Sequence, residues 1–186
     1  MKNLHTWFEK GMTQYEYIQH MNVHQENLLK VYNELRLTPD DLVSLRPLQT
    51  KGLKAVILTA DWCGDAMVNL PIFMRLAHEA LIEARYLIRD ENLELMDQYL
   101  TNGTARSIPI ILLLDKDGNE IGKWGPRAPK VQELVGQMKA NLPAKDSAEF
   151  EAAFKNFAQE VSKLFTTNKT LWLDIKQDLI ERLRTL

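Results

Sequence analysis

Apolar residues recur at three- and four-residue spacing through residues 3 to 36. Trp7, Phe8, Tyr15, Ile18, Leu28, Val31, Tyr32 and Leu35 are separated by Glu, Gln, Lys and Asn, which is the period of an amphipathic helix. Gly11 predicts a break into at least two helices. Thr38-Pro39-Asp40-Asp41 is a helix start, with a capping hydroxyl, proline at the first helical position and acids in the first turn. A short helix to about Leu45 follows, and Arg46-Pro47 ends it.

The pattern then changes. Lys54–Ala60 and Ala84–Arg89 are short, largely apolar runs and predict buried strands. Pro71, Ile72, Met74, Leu76, Ala77, Leu81 and Ile82 mark a helix between them. A second helix is predicted over 92–100, from Leu93, Leu95, Met96 and Leu100. Ser107–Leu114 reads as a strand, Asp115-Lys-Asp-Gly-Asn119 as a turn, and Glu120–Trp124 as its antiparallel partner. Val131, Leu134, Val135 and Met138 mark a further helix that ends near Pro143. Residues 51 to 141 thus predict β-α-β-α-β-β-α. The first three strands, joined by helices, are expected to be parallel, with the last hairpin making the sheet mixed. Beyond Pro143 two stripes predict a helical hairpin: Phe150, Phe154, Phe157, Val161 and Leu164, then Leu171, Ile175, Leu179 and Leu183, with a turn at 166–169. The fold class is α/β, divided as an N-terminal helical extension (1–48), a central domain (49–143) and a C-terminal helical hairpin (144–186).

Composition narrows the function. The chain has 186 residues, 45% hydrophobic content and a net charge of −2, enough for one packed domain with appendages. Its cations are dispersed, which argues against a nucleic-acid partner. No segment reads as a signal peptide or membrane span, so a cytoplasmic location is the expectation. The single cysteine, Cys63, needs no oxidising compartment. It follows a predicted strand and opens a predicted helix, the setting of a redox site.

Ala60-Asp-Trp-Cys-Gly64 resembles the A-x-W-C-G motif of thioredoxins. Arg89-Asp-Glu-Asn-Leu-Glu-Leu95 resembles the segment after their next strand, and Ser107-Ile-Pro-Ile110 their I-P turn. The resemblance covers 51–142, in the family's element order. Trp124-Gly-Pro-Arg127 is similar to a bacterial thioredoxin-like branch. It implies a thioredoxin-like fold with a central mixed sheet, a cis peptide before Pro109, and a substrate groove formed by Trp62, Gly64, Asp65, Ile108 and Pro109 beside Cys63. The departures are specific. Ala66 replaces the resolving cysteine and Asp65 the intervening proline, giving W-C-G-D-A for W-C-G-P-C. Ile57 stands where many members carry a buried aspartate that serves the resolving thiol. The family's first β-α unit is replaced by helix.

One cysteine at a helix N-terminus has a lowered pKa, while the adjacent Asp65 carboxylate opposes the thiolate. Without a resolving thiol, attack on a disulfide stops at a mixed disulfide until an external thiol releases it. This predicts monothiol exchange with a low-molecular-weight thiol or a protein disulfide, and no two-cysteine cycle. The alternative is a non-catalytic module with Cys63 as an inert apolar residue. Peroxide reduction lacks the threonine and arginine setting that a peroxidatic thiol needs. Arg127 is a candidate receptor for a substrate carboxylate. His20 and His24 lack further ligands, so no metal or cofactor is expected. Asp115, Asp117 and Asn119 fit a hairpin turn rather than a calcium loop. The Phe150-Phe154-Phe157 stripe either packs a core or, uncovered, forms a homodimer or partner surface.

Overall fold

A computed structural model describes residues 2–186. The first 48 residues form four helices: α1 (His5–Lys10), α2 (Gln14–His20), α3 (Gln25–Glu34) and α4 (Pro39–Leu45). The first run breaks at Gly11, whose backbone is extended and packs so closely that a Cβ there would lie 2.6 Å from the Cβ of Arg85. A second break follows α2, and His24 enters α3 with a left-handed backbone, φ 60°. The Thr38 cap forms, and the structure adds a second at Thr13. Thr13 and Glu16 close a capping box on α2, and Thr38 and Asp41 close one on α4, so orphaned N–H groups at each start are satisfied.

The central segment gives β1 (Lys54–Thr59), α5 (Gly64–Ala80), β2 (Glu83–Ile88), α6 (Leu93–Met96), β3 (Ile110–Leu114), β4 (Glu120–Trp124) and α7 (Pro129–Ala140). The sheet order is β2-β1-β3-β4. Val56, Ile57 and Leu58 are wholly buried. Successive residues of a strand face opposite sides, so both faces of β1 are covered, which is why this stretch is apolar throughout rather than alternating.

One expectation fails. β1 and β2 are parallel, but β3 runs antiparallel to β1 as well as to β4. A parallel return needs a connection that carries the chain back across the sheet. The predicted helix over 92–100 is only the four residues of α6. It climbs about 6 Å, against about 17 Å for a five-residue strand. The chain therefore re-enters at the end of the sheet that β2 left. Leu58, near the end of β1, then pairs with Ile110, at the start of β3.

The tail forms α8 (Phe150–Thr167) and α9 (Lys169–Leu183), with Asn168 capping α9 through Leu171 N–H. α5 packs against α3, α4, α8 and α9. One cluster of buried side chains runs from Leu4 to Leu183. An ion pair between Asp41 of α4 and Lys176 of α9 is also buried, 2.5 Å apart, with side chains 9% and 6% exposed. No helix among the described residues is long and apolar enough to cross a membrane.

Candidate functional site

The antiparallel β3 brings together two residues 45 positions apart. Cys63 follows β1 and caps α5, and Ile108 precedes β3. The Cys63 thiol donates to the Ile108 carbonyl at 3.4 Å, and its Sγ accepts from Ala66 N–H at 3.5 Å. Ala66 therefore fills the place of a second thiol with a backbone donor aimed at the first. The Ile108-Pro109 peptide is cis, as is Gly125-Pro126. Gly125 (φ +118°) packs so tightly on the Pro109 carbonyl that a Cβ would lie 2.2 Å from its oxygen. Only glycine fits there, and this approach sets Pro126 and Arg127 beside Cys63.

Asp65 and Arg127 form a two-pronged ion pair, with Nε to Oδ1 at 2.5 Å and Nη2 to Oδ2 at 2.7 Å. Nη1 of Arg127 donates to Gln132 at 3.1 Å. The guanidinium expected to receive a substrate carboxylate is thus already held by a carboxylate of the chain. Burial raises the pKa of Asp65, and Arg127 works against that rise. Cys63 is 8% exposed. Burial first, and the Asp65 carboxylate second, push its thiol up to about 11, against the pull of the Ala66 and Asp65 N–H groups and of Arg127. The helix terminus acts in the direction the sequence suggests, but desolvation outweighs it.

Trp62 is 49% exposed, and its ring lies under the Arg89 guanidinium at 4.7 Å. Arg89 is tied in turn to Asp90 and to the Arg106 carbonyl. Together with Cys63, Asp65, Ile108 and Arg127 these residues border an open cleft of about 640 Å³, a volume that suits a small molecule or a short stretch of chain. Pro109 stands behind it, between Ile108 and the start of β3.

Two contributors escape the sequence reading. Arg89 follows β2 directly, so it lies at the same end of the sheet as Cys63; its place just beyond a strand was the available signal. Asn69 is wholly buried in α5 and donates to the Pro126 carbonyl at 3.1 Å. One polar residue inside an otherwise apolar helix run marked it. Elsewhere, His24 Nδ1 pairs with Asn27, and Asp115 caps its own turn through the N–H groups of Asp117 and Asn119. Among the described residues no group of three or more His, Cys, Asp or Glu side chains is placed to hold a metal.

A family model described as thioredoxin matches residues 11–141. Two solved structures share the fold over nearly the whole chain. A protein of unknown function from Pseudomonas aeruginosa has 16% identity and a TM-score of 0.66, covering 96% of this chain and 98% of its own. An HIV epitope-scaffold has 15% identity and a TM-score of 0.68, covering 100% and 99%. Fasciola hepatica thioredoxin is 27% identical over 53% of this chain and 91% of its own, with a TM-score of 0.34. No curated protein matches the chain.

Proposed function

The chain belongs to the thioredoxin family, and from that premise we propose that it is a single-cysteine member carrying out monothiol exchange at Cys63. The side chains that line the cleft all come from residues 62–132. The supporting observation is the placement of the Cys63 sulfur, at the N-terminus of α5 and against the Ile108 carbonyl at the floor of an open cleft. Trp62, Asp65, Ile108 and Arg127 border that cleft, while Gly64 opens α5 beside Cys63 and Pro109 backs Ile108.

In the reaction the Cys63 proton passes to solvent, and the thiolate attacks one sulfur of a low-molecular-weight or protein disulfide. The new S–S bond forms as the old one breaks, and the departing thiolate takes up a proton. An external thiol then attacks the mixed disulfide and restores Cys63. Cys63 is the chain's single cysteine, so release of the mixed disulfide depends on the external thiol. The raised thiol favours one rival, a groove that binds a protein segment without exchange.

The test is incubation with a low-molecular-weight disulfide at pH 8, with intact mass measured over time. The proposal expects one adduct, localised to Cys63, released by excess thiol and missing in Cys63→Ser. An unmodified chain, under conditions where a free cysteine peptide reacts fully, would leave the binding groove as the function.

A further inference from the structure

Trp62 has a cavity on each side. Beyond the cleft, α8 arches over a trough of about 710 Å³ that shares Trp62 as a wall and reaches Gly64. Phe157, Ala158 and Val161 make its apolar side, while Lys155 and Lys163 stand at its rim. No acidic side chain lines it, and neither lysine makes an ion pair among the described residues. In the cleft, by contrast, Arg89, Arg106 and Arg127 each have a carboxylate partner. Of the two cavities, the trough is therefore the one with unpaired cations at its edge. Nothing lies within 4 Å of a Cβ built on Gly64, so the trough is uncovered where it meets the N-terminus of α5.

We propose that this trough is the second lobe of the Cys63 site. Its occupant is an acidic protein segment that places an apolar side chain beneath α8 while its sulfur meets Cys63. This rests on the exchange reading above for its covalent half only. A compact thiol fits the cleft alone and leaves the trough empty, whereas two hollows flanking Trp62, one of them holding Cys63, suit a chain that passes over the ridge. The half-exposed Trp62, held by Arg89, is the ridge between the lobes. Phe157 and Val161, one helical turn apart, supply the apolar contact, and the two lysines select acidic flanks.

The experiment uses the full chain carrying Cys63→Ser, so that binding is read without chemistry. The probes are two fluorescent synthetic peptides with a phenylalanine near a serine that stands for the cysteine. One is flanked by aspartates and the other by lysines. The acidic peptide is expected to bind about tenfold more tightly at low salt, losing that advantage as salt rises. Lys155→Glu with Lys163→Glu should invert the preference. Ala158→Trp, which fills the trough from an exposed position on α8, should weaken the acidic peptide by about tenfold, the scale of losing one buried apolar side chain. Equal binding of both peptides, or no response to Ala158→Trp and to charge reversal in folded protein, would overturn the second lobe even if Cys63 exchanges with small disulfides. Selective peptide binding with no small-disulfide adduct on the unsubstituted chain would overturn the exchange and leave the lobe standing.

Discussion

Replacing Asp65 with asparagine should make Cys63 more acidic. The change removes a carboxylate that disfavours the thiolate and releases the Arg127 guanidinium, now bound 2.5 and 2.7 Å away, to favour it. Both act in one direction. A neighbouring charge moves a pKa by about one unit at the lower end of its range. Starting from about 11, the thiolate fraction at pH 8 rises about tenfold for that unit. Nucleophilicity falls with basicity, with a Brønsted slope of about 0.4–0.5, so the gain in rate is only about threefold. The assay is the second-order rate with an aromatic disulfide followed from pH 6 to about 12.5, with the wild-type plateau taken from the fitted curve. Asp65→Asn should shift the midpoint down by about one unit and lower the plateau by about threefold. Burial is untouched, so the midpoint should stay above the ordinary value of about 8.5. An unmoved midpoint, or one that rises, would refute the account in which Asp65 holds the thiol protonated.

Folded Cys63 favours its protonated form, so the stability this contributes is complete below pH 8.5 and is lost as pH rises toward 11; the excess alkaline loss of the wild type over Cys63→Ala should be about 2–3 kcal/mol by denaturant titration. Lys176→Met leaves Asp41 buried without its partner and should cost about 3–5 kcal/mol in thermal or denaturant unfolding, with much of that loss restored by adding Asp41→Leu. Burial alone would raise the pKa of Asp41, but Lys176 and the Thr38 cap hold it below its ordinary value, so this contribution is present above about pH 4 and disappears in acid. An unchanged acid midpoint in Asp41→Asn would contradict that. Tyr86→Phe should be neutral or stabilising, because its buried hydroxyl has no partner, whereas Tyr17→Phe should cost about 1 kcal/mol by stranding Thr59. Gly125→Ala should slow exchange at Cys63 far more than it lowers helix content, because its Cβ would push the 124–127 segment off Pro109.

The sequence is most informative where a local rule acts alone. Thr38-Pro39 at α4, the apolar run of β1 and the Asp115–Asn119 turn all carry their physics within a few residues. The approach of Cys63 to the Ile108-Pro109 turn is legible through the motifs that flank each. What is hidden depends on three-dimensional pairing. Nothing near 92–100 announces that its apolar residues yield a single turn rather than a crossover helix, so the direction of β3 is misread. Likewise, Arg127 has no nearby sequence partner, and its pairing with Asp65 arises only once Gly125 has closed on Pro109. The trough is hidden for the same reason. The Phe150 stripe is visible as a helix face, but that α8 passes beside Trp62 is a matter of packing.

The meeting of Leu58 with Ile110 has a consequence for where this protein is vulnerable. Cys63 and the Ile108 carbonyl it faces hang from adjacent strands, so their alignment is decided inside the core. A two-residue slip of β3 would keep every apolar side chain on its own face, yet carry Ile108 about 7 Å along the strand. Such a slip would abolish the 3.4 Å contact with Cys63 while leaving a folded, well-packed sheet. Core substitutions in β1 and β3 are therefore expected among the inactive variants, blunting chemistry from positions that no ligand touches.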